Sequence, residues 1–313
     1  MTPSEEDAVW IGAGLLRARI LRFGATLQDL RLDPFANPLV LSLPDAAYRG
    51  SARALYAGAV VGRVAGRIAN GRTAIEGAPL QLPVNAAPHH LHGGPDGFSH
   101  QDWRITALCA ESVTLSLTSP AGAGGYPGTL EVTARYEVRA PSTLTLTLEA
   151  HSDAQTLVNL CHHPYFNLRG TGRIDQHALE SPAQSYLPSD ADALPTGEIA
   201  PVAGTAFDFT KPRLLGDAAF DNSLCLHDAP CGPLAFAGRL SAGAGAPRME
   251  IWTTQPALHI YDGRSIAAGA GPRSGVALEA QGWPDAPNNA AFPSAILEPD
   301  TPYRQVVEYR FFN

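Results

Sequence analysis

Apolar and polar residues alternate with a period of two over much of this 313-residue chain. Residues 143–148 read TLTLTL, and Leu130, Val132, Ala134, Tyr136 and Val138 alternate with mostly polar partners. Val113, Leu115 and Leu117 continue the pattern, as do residues 304–311. Successive side chains of a strand point to opposite faces, so this alternation predicts half-buried β-strands. Glycine and proline punctuate the runs at intervals of roughly a dozen residues, the spacing of turns between short strands. No stretch longer than a turn or two carries a helical period. The pattern predicts an all-β chain, a large sandwich of antiparallel sheets. With no internal repeat and no domain-scale linker, a single domain over residues 1–313 is expected. The segments 119–127 (SPAGAGGYP) and 240–247 (LSAGAGAP) are expected to cap hairpins; neither sits between a strand and a helix, as a phosphate cradle would.

Composition narrows the class. With 45% hydrophobic and 17% charged residues the chain can bury a sizeable core. A net charge of −8 argues against nucleic acid, which calls for a basic stripe. Cys109, Cys161, Cys225 and Cys231 lie far apart with no C-x-x-C spacing, which predicts buried free thiols in a reducing compartment. The N-terminal MTPSEEDAVW lacks the basic and apolar regions of a signal peptide, and no apolar run reaches the roughly 18 residues of a membrane span. The expectation is a cytoplasmic protein that engages neither nucleic acid nor membrane.

Five polar clusters interrupt the apolar pattern. Residues 159–168 (NLCHHPYFNL) carry His162 and His163; Pro164 keeps the preceding residue extended, so one histidine alone can face a given site. An imidazole on a stiff strand end suits proton transfer near neutral pH. Residues 62–71 (GRVAGRIANG) place Arg63 and Arg67 among small apolar residues, half-buried and aimed at acceptors. Residues 89–94 (HHLHGG) end in a tight glycine turn, with His90 and His92 expected on one strand face. That spacing raises a metal site, but no glutamate or further histidine follows in register, and no metal is expected. In residues 220–226 (FDNSLCL), Asp221 reads as an exposed turn former. In residues 276–289 (VALEAQGWPDAPNN), Glu279 enters what would otherwise be a buried strand, where a carboxylate needs a partner or a chemical role.

Taken in order, Arg67 (GRVAGRI), His92 (LHGG), His163 (HPYFNL), Asp221 (FDNSLCL) and Glu279 (LEAQGWPDAPN) resemble the aldose 1-epimerase (galactose mutarotase) family, over about residues 12–309. Residues 251–261 (IWTTQPALHIY) resemble the strand pair that lines that family's sugar site. The resemblance implies a β-supersandwich with a free monosaccharide in an open cleft on one sheet, interconverting α and β anomers through ring opening without a cofactor. It also implies Glu279 as general base, His163 as general acid, His92 as a hydrogen-bonding stabiliser of developing charge, and Arg67 and Asp221 as grips on ring hydroxyls. Tyr165, Phe166, Trp252 and Trp283 are candidates to stack on the sugar, with core packing the equal alternative for each. Three positions depart from the family pattern: Gly66 and His162 stand where asparagine is usual and His259 where glutamine is common, and residues 261–264 (YDGR) carry charges. His162 and His259 thus join the candidate substrate-binding set. The altered shell leaves hexoses, pentoses, deoxy sugars and sugar acids open, and a monomer or homodimer is expected. Two rival readings are a non-catalytic carbohydrate-binding or regulatory relative, and a metal-dependent enzyme using His90, His92 and a carboxylate.

Overall fold

In the computed structural model, which describes residues 7–51, 53–267 and 271–312, the alternating runs are strands. Leu130–Arg139 buries every second residue, and pairs antiparallel with Ser112–Ser119 on one side and Thr143–Ser152 on the other. Thr143–Ser152 also pairs with the C-terminal Tyr303–Phe312, at the centre of a nine-stranded sheet. Both glycine-rich segments turn hairpins, between Ser112–Ser119 and Leu130–Arg139 and between Ala235–Ser241 and Arg248–Thr253.

A second sheet runs in the order Tyr165–Phe166, Val276–Gln281, Ala257–Tyr261, Asp221–Cys225, Ser185–Leu187 and Ala200–Pro201, six strands among the described residues. One apolar cluster joins Leu144, Leu146 and Leu148 of the nine-stranded sheet to Leu258, Ile260, Val276 and Leu278 of this one. The two inner faces therefore form a common core, as in a sandwich. An N-terminal meander, Ala8–Ala13, Leu16–Leu21 and Thr26–Leu32, adds its apolar residues to the same cluster. Helix is scarce: Asp45–Arg49 is a five-residue α-helix, and among the described residues no helix is long and apolar enough to cross a membrane.

Residues 251–261 do not form a strand pair within one sheet. The chain turns a corner at residues 254–256, so that Arg248–Thr253 belongs to the nine-stranded sheet and Ala257–Tyr261 to the six-stranded one. Thr253 makes the corner, its hydroxyl donating to Val306 O at 2.9 Å and accepting from Gln255 N–H at 3.1 Å. All four cysteines are free, but only Cys161 and Cys225 are buried; Cys109 is exposed because it sits in the turn between Arg104–Leu108 and Ser112–Ser119.

Candidate active site

Period-two geometry in the six-stranded sheet builds the cleft. Leu224, Leu258, Ile260, Val276, Leu278 and Ala280 fill the core, so the alternate residues Asp221, Ser223, His259, Tyr261, Glu279 and Gln281 emerge on the other face. Register then aligns three of them in a row across the sheet, with Ser223 opposite His259 and His259 opposite Glu279. They floor an open cleft of about 1000 Å³, solvent mouth included, with Tyr56, Arg67, His92, His163, Tyr165 and Arg264 among its walls.

His163 reaches Glu279 from the neighbouring segment, with Nε2 at 3.3 Å from Oε1. Backbone bonds hold it in place: His163 N–H donates to Ala59 O at 3.0 Å, and Gly58 N–H donates to His163 O at 2.8 Å. Glu279 is 1% exposed yet partnered, which answers the question posed by a carboxylate in a core strand. His162 does not join the substrate-binding set. As the residue before His163 it points to the opposite face, into the core, with Nδ1 3.1 Å from the Tyr309 hydroxyl and its ring against Tyr136 and Tyr309. Burial pushes its pKa down to about 3, so it is a neutral core residue.

His92 is held by a reciprocal pair of bonds with Gly66. Its N–H donates to Gly66 O at 3.0 Å, and its Nδ1 accepts the Gly66 N–H at 3.2 Å. Burial, then the neighbouring charges of His163 and Arg67, push its pKa well below the usual histidine value. A neutral ring whose Nδ1 accepts must carry its proton on Nε2, so His92 is a fixed hydrogen-bond donor. Gly93 makes the turn that presents it, at φ +80° with its Cα so close to Gly62 that a Cβ would lie 1.8 Å from Gly62 O.

His90 and His92 do not share a strand face. The strand ends at Leu91, His92 adopts φ +52°, and His90 is tied to Pro83 O and the Tyr126 hydroxyl at 2.7 Å each. Among the described residues, the ligand-capable atoms that do converge are those of His92, His163 and Glu279, all within 4.8 Å of one another. The 3.3 Å separation of His163 Nε2 and Glu279 Oε1 is an ion-pair contact.

Asp221 is a strand residue rather than a turn former. Its Oδ1 lies 3.1 Å from His259 Nε2, while His259 Nδ1 lies 3.0 Å from Ser223 Oγ. This Ser–His–Asp row spans two neighbouring strands, Asp221–Cys225 and Ala257–Tyr261, each paired along both edges, whose N–H groups are engaged in the sheet ladders and offer no oxyanion hole. It is a device for holding charge, not for acyl transfer. Burial alone would lower the His259 pKa, but the Asp221 bond and the Glu279 and Asp221 charges leave it raised; for Asp221 burial is likewise outweighed, by His259 and the nearby cations, and its pKa is lowered. The pair's stabilisation is therefore present below pH 6.5 and fades as pH rises through the raised His259 value; on the acid side it fades as pH falls through the lowered Asp221 value. Thermal melts of Asp221→Asn against the parent are expected to differ most just below pH 6.5 and to converge in alkali; a pH-independent difference would refute the pairing.

The two arginines of the GRVAGRI motif do different work. Arg67 pairs its strand with His90–Leu91 and lines the cleft without an ion-pair partner among the described residues, which leaves its guanidinium for a ligand. Arg63 is buried beyond the half-burial its sequence suggests. It donates to the carbonyls of Ser119, Pro120, Pro127 and Gly128 at 2.8–3.1 Å and to the Ser119 and Thr156 hydroxyls, pinning a hairpin loop to the active-site segment.

The family model described as aldose 1-epimerase matches residues 7–310. The chain belongs to the aldose 1-epimerase family. Galactose mutarotase of Rattus norvegicus is 39% identical over 273 residues, covering 82% of this chain and 79% of the rat protein. The human galactose mutarotase is 36% identical over 318 residues, covering 95% and 91%. A solved structure of the GalM/aldose epimerase homologue from C. elegans superimposes with a TM-score of 0.89 at 28% identity, covering 98% of this chain and 99% of that one. The aldose 1-epimerase relatives are isomerases by name, so the alternative of a non-catalytic relative is not favoured.

Within this aldose 1-epimerase fold the aromatic expectations divide. Tyr165 lines the cleft, its ring 5.0 Å from that of His163, and is joined by Tyr56 and Tyr261, which the sequence did not single out for this role. Phe166 lies in the core against Tyr309, Trp252 lies under the Arg310 guanidinium on the other sheet, and Trp283 packs on Phe292. Ser223 and Gln281 were also missed, although each stands two residues after a recognised carboxylate in a strand and must share its face. In the charged segment 261–264, Asp262 is buried between Arg273 and Arg264, and Tyr261 and Arg264 face the cleft.

Proposed function

We propose that the cleft interconverts α and β anomers of a free monosaccharide, with Glu279 as general base and His163 as general acid. The 3.3 Å contact between His163 Nε2 and Glu279 Oε1 on the cleft floor carries this reading. The anomeric oxygen O1 and the ring oxygen O5 are both bonded to C1, so two adjacent catalytic atoms can serve both. Glu279 takes the O1 proton, the electron pair forms the C1 carbonyl, the C1–O5 bond breaks, and His163 gives a proton to O5. Rotation about C1–C2 presents the other carbonyl face, and the steps run in reverse. Such acid and base assistance contributes typically about 10²- to 10⁴-fold per group. His92 donates its Nε2–H to the oxygen that gains charge, while Arg67 and the Asp221–His259 pair read ring hydroxyls.

No cofactor takes part in this scheme. Its setting is a single domain over residues 1–313, supported by the match over residues 7–310. We place it in the cytoplasm as a monomer or homodimer with no nucleic-acid partner, in keeping with the net charge of −8. Galactose is the first substrate to test, from the names of the rat and human relatives. His259 and Gly66, where the family pattern has amide side chains, make the panel worth widening. Polarimetry of freshly dissolved α-anomers of galactose, glucose, arabinose, xylose, fucose and galacturonate is expected to show acceleration by catalytic amounts of protein. Spontaneous rates throughout the panel would contradict the proposal.

A further inference from the structure

The Glu279 carboxylate has a second buried partner that the acid–base scheme leaves without a role. Cys161 Sγ donates to Glu279 Oε2 at 3.2 Å, and the two residues are 0% and 1% exposed. Cys161 stands two residues before His163 in extended chain, so both side chains point at the same carboxylate, one on each oxygen. We propose that Cys161 is a positioning residue: its thiol fixes the plane of the Glu279 carboxylate and occupies Oε2, so that the substrate proton is received on Oε1, the oxygen beside His163. This rests on Glu279 being the base.

The chemistry of a thiol suits the task. It is a weak donor, so it orients a carboxylate while removing less of its basicity than a hydroxyl or amide would. Burial, then the Glu279 charge, push the Cys161 pKa well above the usual thiol value, so it remains a donor and does not compete for the proton. Cys161 does not line the cleft and its role is exerted through Glu279. The other groups facing Glu279 are His259 on the adjacent strand, His92 across the cleft, Tyr165 on the other flanking strand and Tyr309 from the sheet beneath. Among the described residues, the Cys161 thiol is hydrogen-bonded to its carboxylate and His163 is in ion-pair contact with it.

The test is the pH profile of kcat/KM for anomer interconversion in the parent, Cys161→Ala, Cys161→Val and Cys161→Ser, with a melting temperature for each and Glu279→Gln as control. Alanine and valine remove the donor, which makes the carboxylate more basic, so the acid limb should move up by about half to one pH unit. Their kcat should fall about 3- to 10-fold as the carboxylate loses its fixed plane. Serine restores a donor and should bring the limb back toward the parent. A purely structural cysteine would instead let valine recover the melting temperature lost in alanine while no variant moves the limb, and that result overturns the inference. Should Cys161→Ala not fold, valine against serine decides the same question. Parental turnover in Glu279→Gln would overturn the base assignment itself, and this inference with it.

Discussion

Glu279→Gln is expected to fold like the parent and to lose nearly all turnover, by about 10²- to 10⁴-fold or more. Glutamine keeps the shape of the side chain, so the row Ser223, His259, Glu279 across the sheet stays filled. Its carbonyl oxygen can still accept the Cys161 thiol, and replacing a buried carboxylate by an amide removes a charge the core has to accommodate. What it cannot do is take a proton from the anomeric hydroxyl. The loss should fall on kcat and kcat/KM together, with little change in KM, because the missing interaction belongs to the transition state. Circular dichroism and a thermal melt close to the parent, beside a collapsed kcat, are the predicted pair of results. A collapsed kcat accompanied by unfolding would not test the role, so the melt is part of the measurement.

The largest effect on stability is expected at Arg63, outside the chemistry. Arg63→Met keeps much of the length and the apolar stem but takes the guanidinium donor from the carbonyls of Ser119, Pro127 and Gly128 in a largely buried place, while Pro120 O keeps the Ala123 N–H at 3.0 Å. Each stranded acceptor costs about 1–3 kcal/mol, and partial entry of water reduces the sum, so a loss of about 3–5 kcal/mol is expected. The guanidinium has no carboxylate partner in this nest, and burial lowers its pKa to about 10, which still leaves it charged at neutral pH. Urea denaturation should show a lower midpoint with an unchanged slope, the sign of lost stability rather than an altered unfolded state. A change under about 1 kcal/mol would mean that the loop satisfies its carbonyls without Arg63.

What the sequence made legible follows from how local each signal is. Alternation in Leu130–Arg139 needs only the strand itself, and the structure buries every second residue as expected. Glu279 stood out because a carboxylate in an apolar run is a local contradiction, and the run Val276–Gln281 is indeed buried throughout. Facing was legible in part: Pro164 and the period of two required His162 and His163 to diverge, but nothing local said which one met Glu279. Asp221 read as a turn former because the stabilising partner, His259, lies 38 residues away on another strand. Arg63 likewise has acceptors 56 to 93 residues distant, which no window on its own segment contains. Cys161 carried no signal at all; its tie to Glu279 spans 118 residues and exists only through the packing of two strands. The aromatics could not be sorted between cleft and core for the same reason, since both are equally apolar in sequence and only sheet assignment separates Tyr165 from Trp252.

The most direct measurement is exchange NMR on galactose already at anomeric equilibrium, where any transfer of magnetisation between the α and β H1 signals reports turnover without net change. The account predicts strong α–β exchange with catalytic amounts of the parent protein and none above the spontaneous rate with Glu279→Gln. Exchange that persists undiminished in Glu279→Gln would contradict the account at its centre.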